Sequence, residues 1–241
     1  MRELDSFDFK DGEVLAFDKP LEWTSFNVVG KVRHKICRYL GVKKLKVGHA
    51  GTLDPMATGL MVLCTGKATK KIEQIQGTEK EYIAELKLGA TTPSFDVESE
   101  EDAEYPYQHI NREIIDKVLP QFIGEIDQVP PIFSAVKVNG RRAYDLARKG
   151  EEIELRSKKI TIKEIEVLEF KEQHLSLRVV CGKGTYIRSL ARDFGEALES
   201  GAYLTGLRRT RVGDFKVDQA YTIEDFCSFL DEAIQAKKEE K

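Results

Sequence analysis

The sequence predicts an α+β fold with a largely antiparallel sheet, and three observations carry that prediction. Strand and helix patterns follow one another without the regular βαβ alternation of a doubly wound sheet. Residues 81–88 place Tyr82, Ala84, Leu86 and Leu88 on one face and Ile83, Glu85 and Lys87 on the other, the period of a half-buried strand. The chain has 241 residues, 41% hydrophobic and 33% charged, enough for one large domain or two small ones around a real core.

Taken in order, residues 13–18 read as a strand running into Lys19-Pro20. Thr24 or Ser25 then caps a helix that ends near Gly41. Its apolar stripe is Phe26, Val29, Val32, Ile36 and Leu40, which leaves Lys31, Lys35 and Arg38 facing solvent or a polyanion. Residues 46–59, rich in glycine and broken by Pro55, read as loop, and 60–65 as a buried strand. After an acidic loop, 111–122 reads as helix. Val129-Pro-Pro-Ile interrupts regular structure before a short helix over 143–148. Strands follow over 158–170 and 175–181. A helix over 186–198 turns Ile187, Leu190, Phe194 and Leu198 inward, a strand covers 204–212, and a closing helix covers 224–236. With no linker or repeat, residues 1–241 read as one domain, with a mobile insertion over about 124–152.

Composition excludes several classes. No apolar run is long enough to span a membrane, and the N-terminus lacks a signal peptide's pattern, so a cytoplasmic protein is expected. Cys37, Cys64, Cys181 and Cys227 show neither zinc spacing nor disulfide density and read as free, mostly buried thiols. His34, His49, His109 and His174 are scattered, so no metal cluster is expected. The net charge of −3 hides a segregation of sign. One basic cluster runs from Lys31 to Lys46, and a second comprises Arg208, Arg209 and Arg211. Acid gathers over 96–104 and in the tail. Charge alone leaves open a nucleic-acid face or ordinary solvated surfaces.

Gly66-Lys67 fails as a P-loop because Met61 and Ala68 stand at required Gly and Ser/Thr positions. Gly182-Lys-Gly184 fails as a dinucleotide fingerprint because Ile187 replaces its third glycine. The zinc-deaminase motifs are missing as well. The informative stretch is Gly48-His-Ala-Gly-Thr-Leu-Asp-Pro-Met-Ala-Thr-Gly59, where three glycines and a proline shape the backbone around one carboxylate, Asp54. An isolated Asp-Pro pair would ordinarily be a turn.

Here the flanking residues resemble the G-H-x-G-T-L-D-P-x-A-T-G signature of the TruB pseudouridine synthase family at every defined position. Asp18-Lys-Pro-Leu-Glu-Trp-Thr-Ser25 is similar to the family's K-P-x-G-x-T-S block, with Glu22 in place of the glycine. Lys80-Glu-Tyr82, Gly182-Lys-Gly-Thr-Tyr-Ile-Arg188 and Leu207-Arg-Arg209 resemble further blocks in the same order. The resemblance runs from Leu15 to about Phe215. It implies a pseudouridine synthase fold, with a mixed, largely antiparallel central sheet flanked by helices and loops. It implies a cofactor-free isomerase acting on tRNA, whose target is the T-loop uridine at position 55.

It also implies roles. Asp54 is the catalytic carboxylate and Arg188 its ionic partner. Tyr82 is the stacking platform and a candidate for assisting C5 deprotonation. His49, Tyr186 and Leu207 surround the flipped uridine, while Lys19, Pro20 and the basic clusters support the T-arm. Each residue has an ordinary alternative: Tyr82 a core aromatic, Tyr186 an amphipathic helix residue, His49 a satisfied loop histidine, Arg188 a surface guanidinium. The joint match favours the catalytic reading. A covalent adduct and a glycal intermediate both remain open for Asp54. A noncatalytic RNA-binding protein is the main rival class. Many family members carry a further C-terminal RNA-binding domain, and the residues beyond Tyr221 read only as a helix and a charged tail, so no full PUA-like domain and no obligate protein partner are expected.

Overall fold

Thr24 begins the first helix by folding its hydroxyl over the backbone N–H of Asn27, while the Asn27 side chain accepts from the Thr24 N–H, a reciprocal cap. The structure is a computed structural model describing residues 7–134, 136–138, 141–142 and 155–239. Its helices are α1 (Ser25–Leu40), α2 (Ile72–Gly77), α3 (Arg112–Val118), α4 (Ile187–Ala197) and α5 (Ile223–Glu239). Its strands are β1 (Val14–Lys19), β2 (Val47–His49), β3 (Ala57–Thr65), β4 (Lys80–Leu88), β5 (Ala90–Thr91), β6 (Ala103–Glu104), β7 (Gly124–Gln128), β8 (Lys137–Val138), β9 (Arg141–Arg142), β10 (Lys158–Lys171), β11 (His174–Cys181), β12 (Ala202–Val212), β13 (Phe215–Lys216) and β14 (Tyr221–Thr222). The chain divides into two compact units, one of residues 1–80 and 208–241, the other of residues 81–207.

In the first unit β1 pairs antiparallel with β3 and parallel with β14, and β2 pairs antiparallel with β3. Strand β3 explains its own composition. Leu60 and Val62 pack with Ala50 and Val212, while Met61 and Leu63 are equally buried, so both faces are covered and the sequence reads as a continuous apolar run. Helices α1 and α5 pack together, with Lys35 ion-paired to Asp231, and Phe226 of α5 meets Phe17 of β1 edge-on at 5.0 Å. Gly41 closes α1 in the left-handed conformation, with φ 66°.

In the second unit β4, β11, β10 and β7 lie side by side, with β10 antiparallel to both β11 and β7. Helix α4 buries Ile187, Leu190 and Phe194, and Phe194 meets Phe122 at 5.3 Å. The predicted alternation of β4 holds, with Tyr82, Ala84, Leu86 and Leu88 all buried. The mixed sheets flanked by helices are those of the expected fold class.

Four expectations need correction. Phe26 is 74% exposed, and the buried face of α1 runs instead through Ser25, Val28, Val29, Val32 and Ile36. The 46–59 segment is not all loop: Val47–His49 forms β2 and Ala57 already belongs to β3. The acidic stretch is not all solvent-facing, since Asp96 is 5% exposed and lies 3.5 Å from the Arg188 guanidinium. The second basic cluster is not all displayed, since only Arg208 and Arg211 are partly exposed. Arg209 is buried among backbone carbonyls, and Arg208 forms a two-pronged ion pair with Asp18. The four cysteines are free and three are buried, as expected. The helix expected over 143–148 lies outside the described residues.

Candidate active site

Asp54 sits on the connection between β2 and β3, where the backbone is held from several sides within the first unit. Just before it, Leu53 is buried, and Ser25 Oγ both accepts from its N–H (2.8 Å) and donates to its carbonyl (2.9 Å). The first residue of α1 thus satisfies both backbone groups of Leu53, which a buried loop residue could not leave unpaired. Just after it, the Ala57 N–H donates to the Asp54 carbonyl at 3.1 Å, closing a turn. Gly59, the third residue of β3, has φ 101°, and a side chain there would collide with the backbone of Arg209.

Lys19 holds the other side. It is fully buried, and its ammonium donates to the carbonyls of Pro20 (2.8 Å), Trp23 (2.6 Å) and Pro55 (3.3 Å). The Glu22 N–H donates to the same Pro55 carbonyl at 2.9 Å. The Lys-Pro block and the Asp54 loop are therefore joined through one acceptor. Glu22 reaches it with φ 65°, the left-handed conformation that a glycine adopts without strain. Burial lowers the Lys19 pKa to about 8; the Asp54 charge opposes the shift and Arg209 adds to it.

Arg209 completes the frame. Its Nε donates to the Leu60 carbonyl (2.7 Å), Nη2 to Gly51 (3.1 Å) and Nη1 to Thr52 (3.4 Å). His49 is half-buried at the end of β2. Burial pushes its pKa below the ordinary value, with the Gly51 backbone acting against this and Arg209 with it, so the ring is neutral at pH 7. Its Nδ1 is buried without a hydrogen-bond partner among the described residues.

In the second unit Tyr82 is 8% exposed on β4. Arg188, in the first turn of α4, is not a surface guanidinium. It is 6% exposed and donates to the carbonyls of Ser94 (3.2 Å) and Phe133 (2.9 Å) as well as facing Asp96. Tyr186 precedes α4 and is gripped through its backbone by the Gln128 amide, which accepts from its N–H (2.9 Å) and donates to its carbonyl (3.1 Å). Leu207, on β12, is partly exposed.

Lys19, Pro20, His49 and Asp54 thus belong to the first unit, and Tyr82, Tyr186, Arg188 and Leu207 to the second. Sequence reasoning passed over the residues that hold them: Ser25, Arg209, Asp96 and Gln128. Ser25 and Arg209 stood inside recognised blocks, but the partners that define them are distant along the chain. Among the described residues no group of three or more His, Cys, Asp or Glu is placed to hold a metal, and no helix is long and apolar enough to cross a membrane.

Residues 38–187 match the model of the TruB family pseudouridylate synthase N-terminal domain, and residues 188–240 that of the tRNA pseudouridylate synthase B C-terminal domain. The chain is 64% identical to a tRNA pseudouridine synthase B of Phocaeicola vulgatus over 93% of its own length and 95% of the relative's. It is 62% identical to one from Bacteroides fragilis, over 93% and 96% respectively. Among solved structures it resembles a chain of a Cbf5-Nop10-Gar1 complex, with TM-score 0.68 and 32% identity over 91% of this chain. It also resembles a chain of an H/ACA RNP bound to a substrate RNA containing 2'-deoxyuridine, with TM-score 0.64 and 30% identity over 90%. It spans about half the length of those two solved chains, 54% and 53%.

Proposed function

Because this chain belongs to the TruB family of pseudouridylate synthases, we propose that it isomerises uridine to pseudouridine in tRNA, at the T-loop position 55, with Asp54 as the catalytic carboxylate. The observation that carries the assignment of Asp54 is its loop, immobilised in the first unit by Lys19, Ser25 and Arg209 within the family's signature. A carboxylate that must meet one sugar or base carbon gains most from a fixed backbone, because misplacement by about 1 Å can cost on the order of 100-fold in rate.

The reaction breaks the N1–C1′ bond, turns the base, joins C5 to C1′, removes the C5 proton and protonates N1. It is redox-neutral and has no net hydrolysis, so a carboxylate and a base-holding pocket suffice. The target lies in folded RNA and must be extruded. In this reading Tyr82 stacks on the extruded uracil, and the neutral His49 ring, Tyr186 and Leu207 line its surroundings. In the same reading Arg188 is the ionic partner that orients Asp54. Lys19 and Pro20 serve the T-arm indirectly, since the buried ammonium acts on the Pro55 carbonyl. The binding partner is the T-arm stem-loop, and the exposed residues Lys31, Arg33 and Arg38 of α1 supply positive charge toward its phosphates.

Tritium release from C5-labelled uridine in tRNA tests the proposal. The wild type should release tritium, and Asp54→Asn should release none while keeping tRNA affinity within about threefold. Turnover by a clean Asp54→Asn preparation would overturn the assignment of Asp54. Tight binding by a wild type that never releases tritium would favour a noncatalytic RNA-binding protein.

A further inference from the structure

Arg209 is the largest side chain under 2% exposed among the described residues. A guanidinium is expensive to bury unless its donors are satisfied. Its hydrogen bonds go to main-chain carbonyls at two places: Gly51 and Thr52, three and two residues before Asp54, and Leu60, six residues after it. One rigid planar group therefore spans both ends of the Asp54 loop. The carbonyls of Gly51 and Thr52 lie where the chain has left β2, so no strand partner claims them. Gly59 makes the arrangement possible, because its missing side chain lets β3 approach the Arg209 backbone. Backbone and side chain of one β12 residue thus meet the loop and its exit.

The charge has a second consequence. The carbonyls give each of the three guanidinium nitrogens an acceptor without neutralising the cation, and its field reaches both Lys19 and His49. A lysine could supply the charge but not the three-way fork, and a glutamine could supply part of the hydrogen bonding but not the charge.

Resting on the reading of Asp54 as the catalytic carboxylate, we propose that Arg209 is a positioning residue of this enzyme: it clamps both ends of the Asp54 loop and holds a fixed cation beside it. Arg209 touches no reacting atom in this reading. A merely structural arginine would lower stability when replaced and leave the chemistry of the folded fraction unchanged.

Three measurements separate these. In Arg209→Lys, the single-turnover rate should fall about 100-fold, with tRNA affinity within about threefold and Trp23 fluorescence reporting a folded first unit. In Arg209→Gln, the His49 ring should titrate at higher pH than in the wild type, and in Arg209→Lys closer to the wild-type value. In the wild type, which needs no variant to fold, the Arg209 Nε–H should exchange with solvent far more slowly than the exposed Arg33. A folded Arg209→Lys turning over within about twofold of wild type would overturn the inference, as would rapid exchange of the Arg209 Nε–H. Wild-type tritium release with an inactive Asp54→Asn would leave the functional reading standing even then. Absence of release from the wild type would remove that reading and this inference together.

Discussion

Replacing Glu22 by glycine should stabilise the protein, an unusual expectation for a glycine substitution. Glu22 holds φ 65° and donates its N–H to the Pro55 carbonyl at 2.9 Å, so the surrounding structure demands the left-handed conformation. For a residue with a Cβ that conformation costs roughly 1–2 kcal/mol. Glycine escapes this but gives up about 0.5–1 kcal/mol in extra unfolded-state freedom. The net gain is about 0.5–1 kcal/mol, or roughly 1–4 °C in Tm for a chain of this size. Trp23 is the single tryptophan and the next residue, so urea titration followed by its fluorescence reads the unit that contains the change. Two controls isolate the cause. Glu22→Ala keeps the strain and removes only the carboxylate, and should stay within about 0.5 kcal/mol of wild type. Glu22→Pro forces φ to about −65° and deletes the donor to Pro55, and should lose about 3 kcal/mol or more. Equal midpoints for the Gly and Ala variants, or a lower one for Gly, would refute the strain argument.

Two further predictions probe the same unit. Phe26→Ala should change stability by under about 0.5 kcal/mol, whereas Val28→Ala, which empties a fully buried site, should lose about 2 kcal/mol; equal losses would mean that α1 buries a different face. For Lys19 the folded-state pKa is depressed, to about 8 from the ordinary 10.5. Between those values the unfolded chain holds a proton that the folded chain has released, so stability from this site rises with pH through that window. Lys19→Met lacks this dependence, and paired denaturation curves at pH 7.5 and pH 10 should show the wild type gaining stability relative to the variant. A constant difference would place the ammonium in water.

What the sequence revealed of the fold depended on how local the determining interactions are. The limits of α1 were readable because Thr24 and Gly41 act on backbone groups within a few residues. Its buried face was misphased at the first turn, where Phe26, Val28 and Val29 are all apolar and periodicity has no preceding turn to choose among them. Strand β3 was readable as an unbroken apolar run, while β2 was not, since three residues acquire strand character only by pairing with Val62's neighbours Leu63, Cys64 and Thr65. The departure at Glu22 was visible as a missing glycine, but the sign of its φ required the Pro55 carbonyl as a fixed target.

The site shows the same division more sharply. The order of motifs named Asp54, Tyr82 and Arg188, because side-chain chemistry is written in residue type. The same residue types misled where burial reverses their meaning. Arg209 counted toward a basic surface, yet its partners lie about 150 residues earlier in the chain and are backbone atoms, which have no signature in residue identity. Lys19 likewise carries a T-arm role by resemblance, and its ammonium is an internal donor to three carbonyls. Both cations serve the loop that carries the one carboxylate, so the charge that a sequence count assigns to RNA binding is in part spent inside the protein. On this view, the electrostatics of RNA capture belong to the exposed residues of α1, and those of the chemical step to the buried pair. Salt should therefore weaken tRNA binding steeply while leaving the single-turnover rate of bound tRNA nearly unchanged, because screening reaches exposed charges far more than buried ones.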